Sequence, residues 1–357
     1  MVKMKKVLVA MSGGVDSAVA AYLIKSQGFD AGGITMRVWF DGEVISDSEN
    51  TSPDQNCTDA KLIADALQMP HYTVALGESF KRCVVDKFID DYKNGLTPNP
   101  CVECNKFIKF GKLFDAAISL GYDGIATGHY ARIEQDGSKK LFLKKAADES
   151  KDQSYFLWSI DKNKLPYIKF PLGEYTKPQV RELAKAQGFS IAHRSDSQDI
   201  CFINDGDYAS FISTHSSYTF SDGDFLDIDG NKVGKHSGII NYTVGQRKGL
   251  GVAFGIPMFV KGKDARRNTV TLCTSEQLFG TELTAKRINL LTDVTFDTPT
   301  RVQAKIRYRH TPATATVTRT DEDTLSVNFD IPQRAIAPGQ SVVFYDGDIV
   351  LGGGIIS

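Results

Sequence analysis

The feature that most constrains this chain lies at its start. A short apolar run at 7–11 (Val-Leu-Val-Ala-Met) leads into Ser12, Gly13, Gly14, Val15, Asp16 and Ser17, and then into a helical pattern closed by Gly28. The apolar run reads as a buried parallel strand, and Val15, Val19, Tyr22 and Leu23 share one face of a helix over about 16–27. A glycine turn that leaves a strand and opens a helix aims backbone N–H groups at one point, where the helix dipole adds positive potential. Gly13 and Gly14 allow close backbone approach, and the Ser12 and Ser17 hydroxyls can donate. This is a phosphate site. Asp16 would repel phosphate directly, so it is expected either to act through magnesium or to serve as a helix-start charge. The Gly-Lys-Ser/Thr ending of a Walker loop is absent, and the glycine spacing does not fit the dinucleotide fingerprint. The competing reading is a turn that needs two glycines for geometry alone.

The alternation continues. Strands are expected at 34–40, 71–75 and 124–127, and helices at 58–67, from Phe80 through Tyr92 to Gly95, and from Phe110 to Leu120 with Gly121 as stop. The polar stretch 41–56 reads as a loop. Such alternation implies a doubly wound parallel sheet with helices on both faces. The pattern then changes: a hairpin around Asp136-Gly137 spans 132–145, and a last helix over 177–187 starts at a Thr176 cap with Pro178 in its first turn. Beyond about Phe202 the pattern is mostly strands. In 301–309, Val302, Ala304, Ile306 and Tyr308 alternate with Arg301, Gln303, Lys305, Arg307 and Arg309; Leu325, Val327, Phe329 and Ile331 alternate likewise, and Asp346-Gly347 marks a hairpin turn. The expected divisions are an α/β domain at 1–205, a small β-rich central domain at 206–278 and a C-terminal antiparallel β-barrel at 279–357.

A chain of 357 residues accommodates this many domains. A net charge of −1 gives no bulk signal for a polyanion, so any nucleic-acid surface must be a local patch. The five polar residues alternating through 301–309, four of them cationic, are such a patch if they share one strand face; the plain alternative is a solvated barrel face. Lys3, Lys5 and Lys6 before an apolar run suggest a secretory leader, but the run is short and Asp16 interrupts it. No stretch reaches membrane-spanning length, and a cytoplasmic protein is expected. The six cysteines are too sparse for a disulfide scaffold. Cys101-x-x-Cys104 is either half a structural zinc site, with no second pair to complete it, or a reactive thiol next to Lys106 and Lys109, whose charge together with a helix start would lower its pKa. Cys201 in an apolar run reads by itself as a small buried residue. Cys57, Cys83 and Cys273 are expected to be structural, and no metal-ligand set is expected.

The string from Ser12 to Ser17 resembles the signature of the PP-loop ATP pyrophosphatases (adenine nucleotide alpha hydrolase-like), which cleave ATP between the α- and β-phosphates and adenylate a carbonyl oxygen. Further segments narrow the resemblance: Asn99-Pro100-Cys101-Val-Glu-Cys104-Asn-Lys, Thr127-Gly128-His129-Tyr130, Lys151-Asp152-Gln153, Ser197-Gln198-Asp199-Ile200-Cys201-Phe202, and Gly245-Gln246-Arg247-Lys248-Gly249. Together they resemble the tRNA-uridine 2-sulfurtransferases (the MnmA/TrmU family), in order along the whole chain. The resemblance implies 2-thiolation of the wobble uridine in tRNAs for Lys, Glu and Gln, using ATP and magnesium. Cys201 would carry a persulfide, and Cys104 would be the thiol left in a disulfide with it. Ala10 to Ser17, Met36 and Gly128 would line ATP; Asn99, Pro100 and Cys101 would meet the flipped base; His129, Lys151, Asp152, Gln153, Arg307, Tyr308 and Gln340 would contact tRNA. The sulfur donor would be a cysteine desulfurase or a sulfur-relay protein. Some family members carry Asp where this chain has Cys101, which puts the acid-base role there in doubt and leads to the expectation that Cys101 is not essential. The competing readings are a PP-loop ligase acting on a small-molecule carbonyl and a non-catalytic RNA-binding adaptor.

Overall fold

The computed structural model describes residues 4–40, 43–44, 55–194, 200–203, 206–218, 220–252 and 255–357. Most of the expected 41–56 loop, and Ser197, Gln198 and Asp199 of the Cys201 motif, lie outside the described residues.

The N-terminal part is built on strands β1 (Lys6–Ala10), β2 (Asp30–Arg37), β3 (His71–Ala75) and β4 (Gly124–Ala126). Alternation along β1 explains the layers: Val7 and Val9 face one core with helix α1 (Val15–Ser26), while Leu8 faces another. Helix α2 (Gln55–Ala66) packs in the first core. It starts three residues before the expected position, where Gln55 Nε2 donates to Asp59 Oδ1 at 2.7 Å. Against the second core lie α3 (77–93) and α4 (100–119), continuous helices that each contain a π-wound stretch, Lys81–Val85 and Cys104–Lys112. Helix α4 begins ten residues before the apolar periodicity suggests, because Asn99-Pro100 supplies an N-cap position and a proline at N1.

The hairpin β5 (Arg132–Gln135) and β6 (Leu141–Lys144) forms as expected around Asp136-Gly137. Strand β7 (Ile168–Lys169) completes a parallel sheet ordered β3-β2-β1-β4-β7. Helix α5 (Lys177–Ala186) carries the Thr176–Gln179 capping box. The chain winds from β1 toward β3 on one side and from β4 toward β7 on the other. The order therefore reverses between β1 and β4, which opens a crevice at their C-terminal ends.

A further helix, α6 (Tyr208–His215), was not apparent in the sequence; Phe211 and Ile212 join the α3 core through Phe88 and Phe202. Strands β8 (Gly223–Leu226), β9 (Lys232–His236), β10 (Phe259–Asp264) and β11 (Thr269–Cys273) form a four-stranded sheet over Phe225, Val260 and Val270.

The C-terminal strands β12 (Phe279–Leu290), β13 (Thr300–Lys305), β14 (Ala313–Asp321), β15 (Thr324–Arg334), β16 (Ser341–Asp346) and β17 (Ile349–Ile356) run in the order β12-β15-β14-β13-β16-β17. Pairing of β12 with β17 closes them into an antiparallel barrel. The β5–β6 hairpin attaches to this sheet through Lys144 and Ile349. Leu325, Val327 and Phe329 point inward as expected, but Ile331 is 70% exposed.

The expected cationic strand face does not form. Strand β13 stops at Lys305, and Arg307 and Tyr308 lie in the turn that follows. Arg301 is neutralised on the outer face by Asp330, which lies on β15 beyond the intervening strand β14, and Arg307 turns inward, its Nη2 donating to Val244 O at 2.9 Å and Ala335 O at 3.0 Å. The period-2 alternation was real through Ile306, but the anion and the carbonyls that satisfy these cations come from segments remote in sequence.

Candidate active site

The phosphate loop fills the β1 side of the crevice. Gly13 adopts φ +69°, and a Cβ there would fall 2.6 Å from Asn56 O, so only glycine fits the turn. Gly14 is the N-cap of α1, and no side chain caps that helix, which leaves its first-turn amides for a ligand. Ser12 is exposed. The Ser17 hydroxyl is instead turned into the loop, accepting from Ser12 N at 3.1 Å and donating to Gly14 O at 2.9 Å, so it staples the turn rather than facing outward. Met11 and Val15 are buried beneath the turn, while Ala10 and Met36 are partly buried at the strand ends.

Asp16 is held by protein donors. Both of its oxygens accept from Lys177 Nζ, at 2.7 and 2.9 Å, and Tyr130 Oη donates to it at 2.9 Å. Asp16 thus stands in the first turn of α1 and is paired there with a buried lysine. Arg194 closes the other side: Nη1 donates to Gly13 O at 3.1 Å and Nη2 pairs with Asp59 at 2.7 Å. Neither Lys177 nor Arg194 carried a signal in the sequence, since both reach the loop from more than 150 residues away.

The segment after β4 joins this loop to the cysteines. A Cβ on Gly128 would lie 2.8 Å from Asp16 C, so the two turns touch main chain to main chain. The next residue, His129, is buried between Phe110 and Phe170. Its Nδ1 lies 2.7 Å from Thr127 Oγ1 and its Nε2 3.3 Å from Lys109 Nζ. Burial, with Lys109 adding to it, holds its pKa well below the ordinary histidine value.

Cys101 lies in the first turn of α4 with an exposed surface, Cys104 is buried in the π-wound stretch, and Cys201 is exposed. All of them are free thiols. They sit close enough for Cys101 and Cys201 both to act on Cys104 electrostatically. Cys104 is thus inside a helix, not ahead of its start, and its thiol is not lowered as expected. Desolvation pushes it up to about 12, against the pull of Lys109. Protein mass crowding Cys201 likewise pushes that thiol up to about 11, with Cys101 adding to the rise, and the Cys101 thiol is raised for the same first reason. Cys57 and Cys273 are buried elsewhere, and Cys83 is half-buried on α3.

Around this centre, Thr97 N donates to Pro338 O at 2.8 Å, and Gln340 Nε2 donates to Thr97 O at 2.9 Å and Pro98 O at 3.1 Å. Gln340 therefore braces the Asn99–Pro100 loop from the barrel. Asp152 is buried and accepts from Ala146 N, Ser154 N and the Ser154 hydroxyl, while Gln153 Oε1 accepts from Tyr130 N at 3.0 Å. These two side chains build the loop that Lys151 precedes. Tyr308 packs on Phe156 with ring centroids 4.5 Å apart, and Lys305 Nζ lies 5.6 Å from its ring.

Comparison with known proteins accounts for nearly all of the chain. Family models described as tRNA methyl transferase HUP domain, tRNA methyl transferase PRC-barrel domain and Aminomethyltransferase beta-barrel domain match residues 5–205, 210–274 and 280–356. The tRNA-specific 2-thiouridylase MnmA of Clostridioides difficile is 48% identical over 353 residues, covering 99% of this chain and 98% of that protein. The same-named protein of Acetivibrio thermocellus is 46% identical over 359 residues, covering 99% of each. MnmA 1 of Caldanaerobacter subterraneus is 48% identical, covering 98% of this chain and 97% of its own. Among solved structures, a 4-thiouridine synthetase–RNA complex with bound ATP covers 56% of this chain and 45% of its own at 19% identity and TM-score 0.34, a likeness too loose to bear on function. With the glycine loop, the paired cysteine motif and the barrel all in place, and relatives this similar from end to end, the chain belongs to the tRNA-specific 2-thiouridylase (MnmA) family.

Proposed function

We propose that this protein is an ATP-dependent tRNA-uridine 2-sulfurtransferase acting on the wobble uridine of tRNAs for Lys, Glu and Gln, in the cytoplasm. The observation that carries the reading is the contact of the two half-sites: Gly128 touches the phosphate loop at Asp16, and its neighbour His129 bonds Lys109 beside the cysteines. Activation and sulfur delivery can therefore share one crevice. The uncapped amides of α1 and the Cβ-free approach at Gly13 and Gly128 suit the ATP phosphates. Magnesium would enter with ATP and neutralise phosphate charge, and Asp16, at the start of α1 and paired with Lys177, is the carboxylate of the loop that would stand beside it.

Adenylation of uracil O2 makes that oxygen a leaving group. Cys104 attacks the inner sulfur of a Cys201 persulfide, forming the Cys104–Cys201 disulfide. The outer sulfur departs with the bonding pair as sulfide, adds to C2, and AMP leaves with the former O2. The Cys104 sulfur is oxidised and the persulfide's outer sulfur is reduced to sulfide, while the Cys201 sulfur stays at the disulfide level it already had, so a further turnover needs a dithiol reductant and a fresh persulfide from a cysteine desulfurase or relay protein. Asn99, Pro100 and Cys101 would meet the flipped base. His129, Lys151, Asp152, Gln153, Arg307, Tyr308 and Gln340 belong to the tRNA-facing side, with His129, Asp152, Arg307 and Gln340 acting there through the segments they brace. The units at 1–205, 206–278 and 279–357 would divide this work into chemistry, linkage and tRNA support.

Incubation with ATP, a persulfide donor and unmodified tRNA, followed by nucleoside mass spectrometry, is expected to give 2-thiouridine. Cys201→Ser should abolish it and Cys101→Ser should lower it without abolishing it. Product that survives Cys201→Ser would refute the persulfide assignment, and complete loss in Cys101→Ser would show that Cys101 is essential. Absence of 2-thiouridine with the unsubstituted protein would favour a small-molecule ligase.

A further inference from the structure

Lys109 enters the electrostatics of Cys101, Cys104, Cys201 and His129 alike. The origin is geometric. The π-wound stretch Cys104–Lys112 places Lys109 one π turn after Cys104. Lys106, its neighbour in sequence, is exposed, with Nζ 5.3 Å from the Phe107 ring centroid. An ammonium has donors only, so His129 Nε2 must accept from Lys109 and His129 Nδ1–H must donate to Thr127 Oγ1. The imidazole is therefore neutral and fixed in one tautomer, and it does not compensate the lysine charge. Among the described residues the polar partner of Lys109 Nζ is this imidazole and not a carboxylate. The half-buried ammonium and the three thiols thus share one site, and an anion that forms on sulfur there gains a cation beside it.

We propose that Lys109 is the positioning cation for sulfur, stabilising the Cys104 thiolate as it forms and the sulfide as it leaves the Cys201 persulfide. The inference rests on the sulfurtransferase reading for its chemistry but not for its electrostatics. The Cys104 thiol proton passes to water. His129 contributes by orienting the ammonium.

The test uses full-length Lys109→Met, Lys109→Gln and Lys109→Arg proteins, each first checked for an unchanged melting transition. The rate of iodoacetamide alkylation of Cys101 and Cys201 is followed against pH by peptide mass spectrometry. The midpoint is expected to rise by about one pH unit in Lys109→Met and Lys109→Gln and to return in Lys109→Arg. Single-turnover thiolation by persulfide-loaded protein should slow about 10- to 100-fold in the neutral variants, with ATP binding within about twofold. Alkylation profiles of a folded neutral variant that superimpose on the parent overturn the inference, even if thiolation falls. If the parent makes no 2-thiouridine, the function reading fails while the alkylation profile still decides the role of Lys109. Should Lys109→Met and Lys109→Gln both fail to fold, a Lys109→Arg protein that folds but shows a midpoint displaced as far as about one unit overturns it too.

Discussion

At the scale of single residues, glycines shape the two turns that meet beside α1. Gly13 and Gly14 were legible because a strand, a glycine turn and a helix are consecutive in sequence. Gly128 was legible only by family resemblance, since its partner Asp16 lies over a hundred residues earlier. Its role is steric: a methyl group there meets Asp16 C at 2.8 Å and Ser17 N at 3.0 Å. Gly128→Ala should push the first turn of α1 away, costing about 1–3 kcal/mol of stability and weakening ATP at least about tenfold. Thermal melts and a fluorescent ATP analogue measure both. Gly137→Ala is the control, because nothing lies within 4 Å of its Cβ position. Equal ATP affinity in Gly128→Ala would show that the two turns do not depend on each other. The thiol chemistry was the opposite case. Cys104 next to two lysines looked activated, yet burial dominates, and which lysine faces it depends on π winding that no local pattern announces.

At the scale of elements, most boundaries were readable where apolar spacing and stop signals agree, as in β3 and α5. They were missed where a cap and not an apolar face starts the helix, as in α4, or where an amphipathic segment is short, as in α6. The strand at 301–309 shows the limit of alternation. Its inward residues were right, but a repeating polar face says nothing about what the neighbouring strand places opposite. Arg307 is a clamp between the 242–246 segment and the end of β15. Arg307→Met should therefore destabilise the protein by about 2–4 kcal/mol by stranding two carbonyls that a charged donor now satisfies. The salt slope of tRNA affinity should stay the same in variants that remain folded. An unchanged melting temperature together with a salt slope reduced by about one would instead mark Arg307 as a direct phosphate contact.

At the scale of the whole molecule, the crevice is assembled by parts that are distant in sequence. A two-domain pattern plus a barrel was legible. The attachment of the 132–144 hairpin to the barrel sheet, and the bracing of the 95–99 loop from two directions, were not, because such docking leaves no periodic trace. Gln340 braces that loop from the barrel and Lys263 from the central sheet, donating to Leu96 O at 3.2 Å with its Nζ 5.2 Å from the Tyr92 ring centroid. Burial lowers Lys263 to about 8. The sign of its pH effect follows. Below pH 8 folded and unfolded chains both hold the proton, and this site contributes no slope. Between about 8 and 10 the folded chain has released it while the unfolded chain keeps it, so the site's contribution to stability rises with pH. The stability gap between the parent and Lys263→Met, from urea melts at pH 7 and 9.5, should move in favour of the parent by on the order of 1 kcal/mol. The same substitution frees the Leu96 carbonyl, so the KM for tRNA should rise at neutral pH while ATP affinity holds. A gap that is flat with pH means the ammonium is solvated, and an unchanged KM means the central sheet does not set the position of the loop before Asn99.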